Sequence, residues 1–167
     1  AVNAADRAAR QRLDPLTKGS LFHAVQTAFY RRMQDAGRLP VTPAGLAQAL
    51  ETLDACLQSV SDAERARLAP AIDRVWDDEV AAIRRDLRLW VDQIAHADDG
   101  WIPVKFEWAF GLKGSSVDVD RDPDSRPAPV LLDGRFLLHG SIDLVEEHAT
   151  RHTLRVTDHK TGRARVK

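Results

Sequence analysis

Apolar positions in the first two-thirds of the chain recur at the spacing of an α-helix. The segment SLFHAVQTAFYRRM predicts one helix, which Gly37 and Pro40 are expected to end. A second helix is predicted over TPAGLAQALETLDACLQSV, because Thr42 is a favourable N-cap and Pro43 suits the first helical position. The apolar face of the first helix consists of Leu21, Phe22, Val25, Ala28, Phe29 and Met33.

A third helical stretch is predicted over SDAERARLAPAIDRVWDDEVAAIRRDLRLWVDQIAHA. Ser61 and Glu64 form a capping-box pattern at its start, and Pro70 is expected to break or kink it shortly afterwards. An apolar stripe then follows at helical spacing, made of Ile72, Val75, Trp76, Val80, Ile83, Leu87, Trp90 and Ile94.

From residue 101 onward the pattern changes to that of β-strands. WIPVKFEWAFG alternates and predicts a strand, whereas the polar segment KGSSVDVDRDPDSRPAP predicts a loop or a hairpin excursion. GRFLLHGSIDLVEEH and TLRVTDHKTG predict two further strands, separated by the turn ATR. The expected organisation is a single domain over residues 1–167, mainly helical over 17–100 and mainly β over 101–167.

The alternating aspartates of DVDRDPD begin like a calcium-binding loop. Such a loop needs Gly at its sixth position and Glu at its twelfth, where this chain has Pro123 and Pro129. A polar loop is therefore the better interpretation of this segment.

Composition narrows the class of protein without assigning a function. The 167 residues are 44% hydrophobic and 29% charged, which is typical of one globular domain. The net charge of −1 gives no bulk electrostatic reason to expect nucleic-acid or membrane binding. The lone Cys56 excludes an intrachain disulfide, and a cytoplasmic location fits. Because the chain lacks an initial Met and stops soon after a strand, we expect it to be a fragment of a longer chain.

The last predicted strand, LRVTDHKTG, carries two charges on an otherwise apolar face. Alternation places Leu154, Val156, Asp158 and Lys160 on the same side. The two apolar residues are expected in the core, which would bring the two charged residues to its edge. A charge there needs a partner or an ion, and a simple Asp–Lys ion pair is one solution.

A second carboxylate on the neighbouring strand makes a metal site the alternative to a simple ion pair. Asp143 lies within the apolar segment GSIDLV, and the short connection to the last strand pairs the two strands. Asp143 and Asp158 are then expected to converge, and a divalent cation such as Mg²⁺ relieves their repulsion. A neighbouring lysine can orient a water or stabilise developing negative charge.

These motifs together resemble the PD-(D/E)xK nuclease superfamily. GSID, fourteen intervening residues and DHKTG match its central motif. The similarity is greatest to the RecB-type branch, which includes the nuclease domains of bacterial helicase–nucleases and Cas4-like exonucleases. KGSLFHA resembles the branch's upstream G-x-x-x-H helix motif through Gly19 and His23, and PVKFEWAFG resembles its E-motif strand through Glu107. The resemblance spans Lys18 to Gly162.

The resemblance implies an α/β fold with a restriction-endonuclease-like core. Its small mixed β-sheet would be flanked by helices, with a helical N-terminal part. It further implies a Mg²⁺- or Mn²⁺-dependent deoxyribonuclease, more specifically an exonuclease associated with a helicase in DNA repair or recombination. The implied catalytic residues are Glu107, Asp143, Asp158 and Lys160, and the implied metal ligands are His23, Asp143, Asp158 and the backbone carbonyl of His159.

DNA binding requires local cations, which the end of the chain supplies. Arg163, Arg165 and Lys167 are expected to contact nucleic acid. The arginine pairs of the helices at 31–32 and 84–85 fit either a DNA contact or a solvated surface. Taken alone, His23 also fits a boundary position of its helix, and Glu107 a solvated strand carboxylate.

Two features of the RecB-type branch are not matched. The helix that usually follows the KTG segment, with its site-lining Gln and Tyr, is not found within residues 1–167, and one cysteine cannot hold an iron–sulfur cluster within this chain. The alternative function is a catalytically inactive domain of the same fold that binds DNA or a protein, which would be favoured if Asp143, Asp158 and Lys160 did not converge.

Overall fold

The structure is a computed structural model that describes residues 15–69, 72–112 and 121–158. Its helices are α1 (Pro15–Asp35), α2 (Leu46–Leu68) and α3 (Asp73–His96), with a short 3₁₀ turn at Pro43–Gly45 before α2. The strands are β1 (Trp101–Phe110), β2 (Val130–Leu132), β3 (Phe136–Leu138), β4 (Gly140–His148) and β5 (Leu154–Thr157). Among these helices, none combines the length and the apolar character that crossing a bilayer requires.

The described residues form two compact units, and α1 contributes to both. One unit contains residues 15–29 and 41–96 and is helical, whereas the other contains residues 30–40 and 97–158 and holds the strands. The helical unit buries Val25, Leu53 and Leu87 fully. Ile72, predicted as the first residue of the third apolar stripe, instead precedes α3 and is 48% exposed. The ring of Phe29 on α1 meets Trp90 of α3 edge to face, with centroids 5.6 Å apart.

The ends of α1 and the 3₁₀ turn follow the predicted signals. After α1, Gly37 adopts a φ of +64°, and its N–H donates to the carbonyl of Gln34 over 2.9 Å. The hydroxyl of Thr42 accepts a hydrogen bond from the N–H of Gly45 over 3.3 Å. Thr42 thus caps the 3₁₀ turn, and α2 follows directly from it.

The predicted helix start at Ser61 is wrong. Ser61 is buried within α2, and its hydroxyl donates to the carbonyl of Gln58 over 3.1 Å instead of capping a new helix. A serine hydroxyl can bond to the preceding turn inside a helix, so a capping-box pattern does not by itself start one. The helix ends at Leu68, Ala69 adopts a left-handed φ of 44°, and α3 begins at Asp73. The expected break near Pro70 is present, although Pro70 itself lies outside the described residues.

The second unit is built on a three-stranded antiparallel sheet with the order β1–β4–β5. Phe106 pairs with Leu144 in the register of β1 and β4, and both side chains are buried. The ring of Tyr30, near the end of α1, stacks on Phe106 with centroids 4.9 Å apart and an interplanar angle of 10°. This aromatic pair therefore anchors the last turns of α1 on the sheet of its own unit.

A hairpin formed by β2 and β3 separates β1 from β4. The predicted strand over residues 134–148 is split into β3 and β4, and β2 pairs with β3 in a two-stranded antiparallel sheet. Asp133 and Gly134 at the turn have φ values of 50° and 66°, the left-handed pair that a tight type I′ hairpin requires. The Asp-Gly dipeptide between VLL and FLL was the available signal. All six residues of β2 and β3 are exposed.

Two further expectations about the strands need correction. The sheet was expected to be mixed, but the described ladders are antiparallel, and the parallel contact is the isolated Phe110–Arg126 bridge. Leu154 and Val156 were expected in the core, but they are 66% and 60% exposed. Alternation predicts which residues share a face of a strand, but it does not say whether anything covers that face.

Candidate metal centre

Three carboxylates occupy one row across the sheet β1–β4–β5. The neighbouring pairs Phe106–Leu144 and Trp108–Ile142 place Glu107 opposite Asp143. On the other side of β4, continuing the register one residue beyond Leu144–Thr157 places Asp158 opposite Asp143. The row thus has Asp143 at its centre.

Two members of this row lie close together within the unit that holds the strands. One carboxylate oxygen each from Glu107 and Asp143 lies within 4.8 Å of the other, and both residues are half-buried. His23, the predicted ligand on α1, belongs to the helical unit and is also half-buried. Carboxylate oxygens are donors that divalent cations such as Mg²⁺ and Mn²⁺ accept, so the chemistry of this carboxylate cluster fits a divalent metal ion.

Asp158 lies just past the end of β5 and is exposed. Among the described residues, no group of close ligand atoms joins Asp158 to both Glu107 and Asp143. The two carboxylates that the sequence singled out first, Asp143 and Asp158, are nevertheless brought to facing register positions.

The backbone at Glu107 departs from ordinary strand geometry. Its φ is 52°, in the left-handed region that side chains other than glycine rarely adopt. The buried positions of β1 are Pro103, Phe106 and Ala109, at every third residue instead of every second. A register shift between Pro103 and Lys105 and the left-handed Glu107 both interrupt the alternation of β1, so the simple face assignment from sequence does not apply at the candidate ligand.

Asp122, which lies in the segment predicted as a polar loop, hydrogen-bonds to the backbone of this part of β1. One of its carboxylate oxygens accepts the N–H of Phe106 over 3.2 Å, and its own N–H donates to the carbonyl of Glu107 over 3.1 Å. The other carboxylate oxygen accepts the N–H of Asp124 over 2.9 Å. This last bond is the turn that an Asp makes with its own backbone two residues on, which the Asp-Pro-Asp sequence could have indicated. Only 7% of Asp122 is exposed, so a buried side chain holds the backbone on either side of the Phe106–Glu107 peptide.

An ion pair lies next to these hydrogen bonds of Asp122. The ammonium of Lys105 hydrogen-bonds to the carboxylate of Asp124 and lies 3.8 Å from a carboxylate oxygen of Asp122. The hydrogen bond from Lys105 lowers the pKa of Asp124 and raises the pKa of Lys105. Both groups therefore stay charged at neutral pH, on the strand that carries Glu107.

Several predicted functional residues lie outside the described residues. They include Lys160, expected to position the attacking water, and His159, expected to offer its carbonyl. The proposed nucleic-acid contacts Arg163, Arg165 and Lys167 also lie there, so their roles stay predictions.

Arg84, one member of the arginine pair at 84–85, has an acidic partner on α2. Arg84 lies 3.5 Å from Asp54 of α2, and Arg88 lies 2.7 Å from the same residue. The carboxylate of Asp54 therefore offsets part of the positive charge of α3 at this position.

Three helices, a small antiparallel sheet and a cluster of metal-binding side chains define the class of protein as an α/β, nuclease-like fold. The family model of the PD-(D/E)XK nuclease superfamily matches residues 2–167, and the chain belongs to that superfamily. Its members usually use divalent metal ions, in agreement with the donors of the cluster. No curated protein and no solved structure gives a significant match to the chain.

Proposed function

We propose that this protein is an active Mg²⁺- or Mn²⁺-dependent deoxyribonuclease that hydrolyses phosphodiester bonds. The observation that carries the proposal is the approach of Glu107 and Asp143, whose carboxylate oxygens lie within 4.8 Å of each other. Two carboxylates at this distance repel each other, and a divalent cation between them offsets that repulsion. Membership of a nuclease superfamily supports the same function.

Within this proposal, each residue has a defined task. His23, Glu107 and Asp143 bind the ion, and Asp158 approaches from β5 as a further ligand, joined by the carbonyl of His159. Lys160 orients the attacking water. A bound divalent ion supplies Lewis acidity at the phosphoryl oxygen and lowers the pKa of its bound water.

The biological setting follows from the resemblance to RecB-type nucleases. We expect an exonuclease that acts with a helicase domain or subunit in DNA repair or recombination. The terminal cations Arg163, Arg165 and Lys167 would contact phosphates, so binding should weaken steeply as salt increases.

The test is cleavage of linear and closed-circular DNA by the full-length protein with Mg²⁺, with Mn²⁺ and with EDTA. An exonuclease degrades the linear substrate and leaves the circle intact. Asp143→Asn, Glu107→Gln, Asp158→Ala and Lys160→Ala are each expected to lower kcat by more than about 100-fold, exceeding the 10–100-fold typical of residues that only support a ligand. Mn²⁺ affinity, measured by calorimetry, should fall with Asp143→Asn and Glu107→Gln.

Glu147→Gln is the matched control, since Glu147 is an exposed carboxylate on the same strand as Asp143. It should retain wild-type cleavage and Mn²⁺ affinity. Cleavage in EDTA, or an Asp143→Asn variant as active as Glu147→Gln, would contradict the mechanism. DNA binding without cleavage under any metal condition would favour the inactive, DNA-binding alternative.

A further inference from the structure

Arg155 joins the three strands of the sheet at a point away from the candidate metal centre. Its guanidinium donates to both carboxylate oxygens of Glu146, over 2.6 and 2.9 Å, and to Asp99 over 3.0 Å. It also lies over the ring of Trp101, 4.7 Å from the ring centroid. Glu146 is the partner of Arg155 across the β4–β5 ladder, and Trp101 is the first residue of β1. One side chain on β5 therefore contacts β4 and the start of β1.

These contacts are stronger than those of an ordinary surface ion pair. The Glu146 side chain is only 9% exposed, and the two parallel N–H···O bonds fix the orientation of the guanidinium. The hydrogen bond to Glu146 raises the pKa of Arg155 above its ordinary value. Partial burial of Asp99 opposes its ionisation, but hydrogen bonds from Arg155 and from the N–H of Trp101 outweigh this effect and lower the pKa of Asp99.

The rest of β5 contributes little to its register. The strand is four residues long, and its apolar side chains Leu154 and Val156 are exposed. A strand's register is strongly specified where one face is buried and weakly specified where it is not. A slip of one residue would move Asp158 away from Asp143 and turn its side chain to the other face.

We propose that Arg155 is a positioning residue that fixes the register of β5 and thereby places Asp158 opposite Asp143. The inference rests on the proposed nuclease function, because it assigns Arg155 a role in building that site. Arg155 and Asp158 are three residues apart on their strand, as Glu146 and Asp143 are on theirs, so the paired side chains lie roughly 10 Å from the metal ligands. At that distance Arg155 acts through the backbone and not by contact with substrate.

The first experiment compares Arg155→Met, Arg155→Lys and the double variant Arg155→Met/Glu146→Gln in the full-length protein. The double variant leaves no unpaired buried charge, so it separates loss of the Arg155–Glu146 hydrogen bonds from misfolding. We expect kcat and Mn²⁺ affinity to fall about 10–100-fold in Arg155→Met and in the double variant, as for other residues that orient metal ligands, with KM for DNA little changed. Arg155→Lys, which keeps the positive charge but not the two parallel N–H donors of the guanidinium, should restore only part of kcat.

Arg65→Met is the matched control. Arg65 is 39% exposed and bonds two carboxylates, Asp73 and Asp77, whereas Arg155 is 41% exposed and also bonds two. Arg65 lies on α2 and touches no strand of the sheet through these bonds, so its loss should leave kcat and Mn²⁺ affinity unchanged. Equal kcat and Mn²⁺ affinity in Arg155→Met and Arg65→Met would overturn the inference, even if both variants melt earlier.

An engineered disulfide between β4 and β5 tests whether Arg155 acts by fixing the register of β5. Glu147 and Leu154 are exposed and directly opposite in the β4–β5 ladder, so paired cysteines there can hold the native register. In the Arg155→Met background, formation of this disulfide should restore kcat, and reduction should remove the gain. A protein with the disulfide formed and kcat still low would show that Arg155 acts in another way.

Failure of the proposed function gives a different result. If wild-type protein binds no Mn²⁺ and cleaves no DNA, the nuclease proposal falls, whatever Arg155 does. If wild-type protein is active and only the Arg155 results disagree, the nuclease proposal stands and this inference alone is wrong.

Discussion

The left-handed backbone at Glu107 reverses the usual stability order of alanine and glycine variants in a strand. Glu107 has a φ of 52°, in a region that glycine adopts freely and L-residues do not. Replacing Glu107 by alanine keeps this backbone cost, whereas replacing it by glycine removes it. The glycine variant is therefore expected to be the more stable of the two, although glycine normally weakens a strand.

The magnitude follows from two opposing contributions. A left-handed conformation costs an L-residue about 1–2 kcal/mol. Glycine costs roughly 0.5–1 kcal/mol relative to alanine in a strand interior, because it loses more freedom on folding. The midpoints of the two ranges leave Glu107→Gly more stable than Glu107→Ala by about 0.75 kcal/mol. This corresponds to roughly 1.5–3 °C in Tm for a chain of this size.

The assay is urea unfolding of both variants in EDTA, so that metal binding does not enter the comparison. Ser141 is the matched position, because it is an exposed residue of β4 opposite Ala109 and its φ is not positive. There Ser141→Gly should be less stable than Ser141→Ala by roughly 0.5–1 kcal/mol. If alanine is the more stable residue at both positions, the left-handed conformation carries no cost and the reasoning is refuted.

Two further predictions concern the packing and charge of β1. Phe106→Ala should destabilise the fold by about 3–5 kcal/mol in urea unfolding, because Phe106 is 1% exposed and stacks on Tyr30. Phe136→Ala, at a 61% exposed position, should change stability by less than about 0.5 kcal/mol, and equal losses would contradict the assigned core. The hydrogen bond from Lys105 lowers the pKa of Asp124, so its stabilising effect is present above the unfolded carboxyl pKa and lost as pH falls through the folded value. In Lys105→Met, NMR titration should show the Asp124 midpoint shifted upward; an unchanged midpoint would exclude the ion pair as the cause.

The helices were largely predictable because their signals are local. The apolar stripes of α1 and α3, the left-handed Gly37 and the Thr42 cap all act within a few residues of sequence. The start predicted at Ser61 failed because the same hydroxyl can bond inside a helix. A local pattern thus indicates what a residue can do, but neighbouring packing decides which option is used.

The strands show where prediction from sequence reaches its limit. The sequence pattern placed β1 and β5, but it joined β3 and β4 into one strand and did not show that Leu154 and Val156 are exposed. Burial of a strand face depends on what packs against it, and that is not encoded in the strand's own residues. The same reasoning explains why Asp122 and Arg155 were missed, since each is important through partners more than eight residues away.

The candidate site was predictable as a set of residues but not as a geometry. Of the residues that the resemblance named, Glu107 and Asp143 come together within one unit. The sequence alone gave no reason to expect that Glu107 lies opposite Asp143, because that depends on the register of β1 against β4. It also gave no sign of the left-handed backbone at Glu107.

Three departures from ordinary folding rules coincide on one row of the sheet. Glu107 has a strained backbone, Glu107 and Asp143 approach within 4.8 Å, and the strand leading to Asp158 exposes its apolar side chains. Each costs stability, and departures of this kind concentrate at functional sites because function, not stability, requires them. A fold selected for stability alone would relieve any one of them by a single substitution. Their coincidence around the carboxylates of Glu107 and Asp143 therefore argues for a binding site at this row.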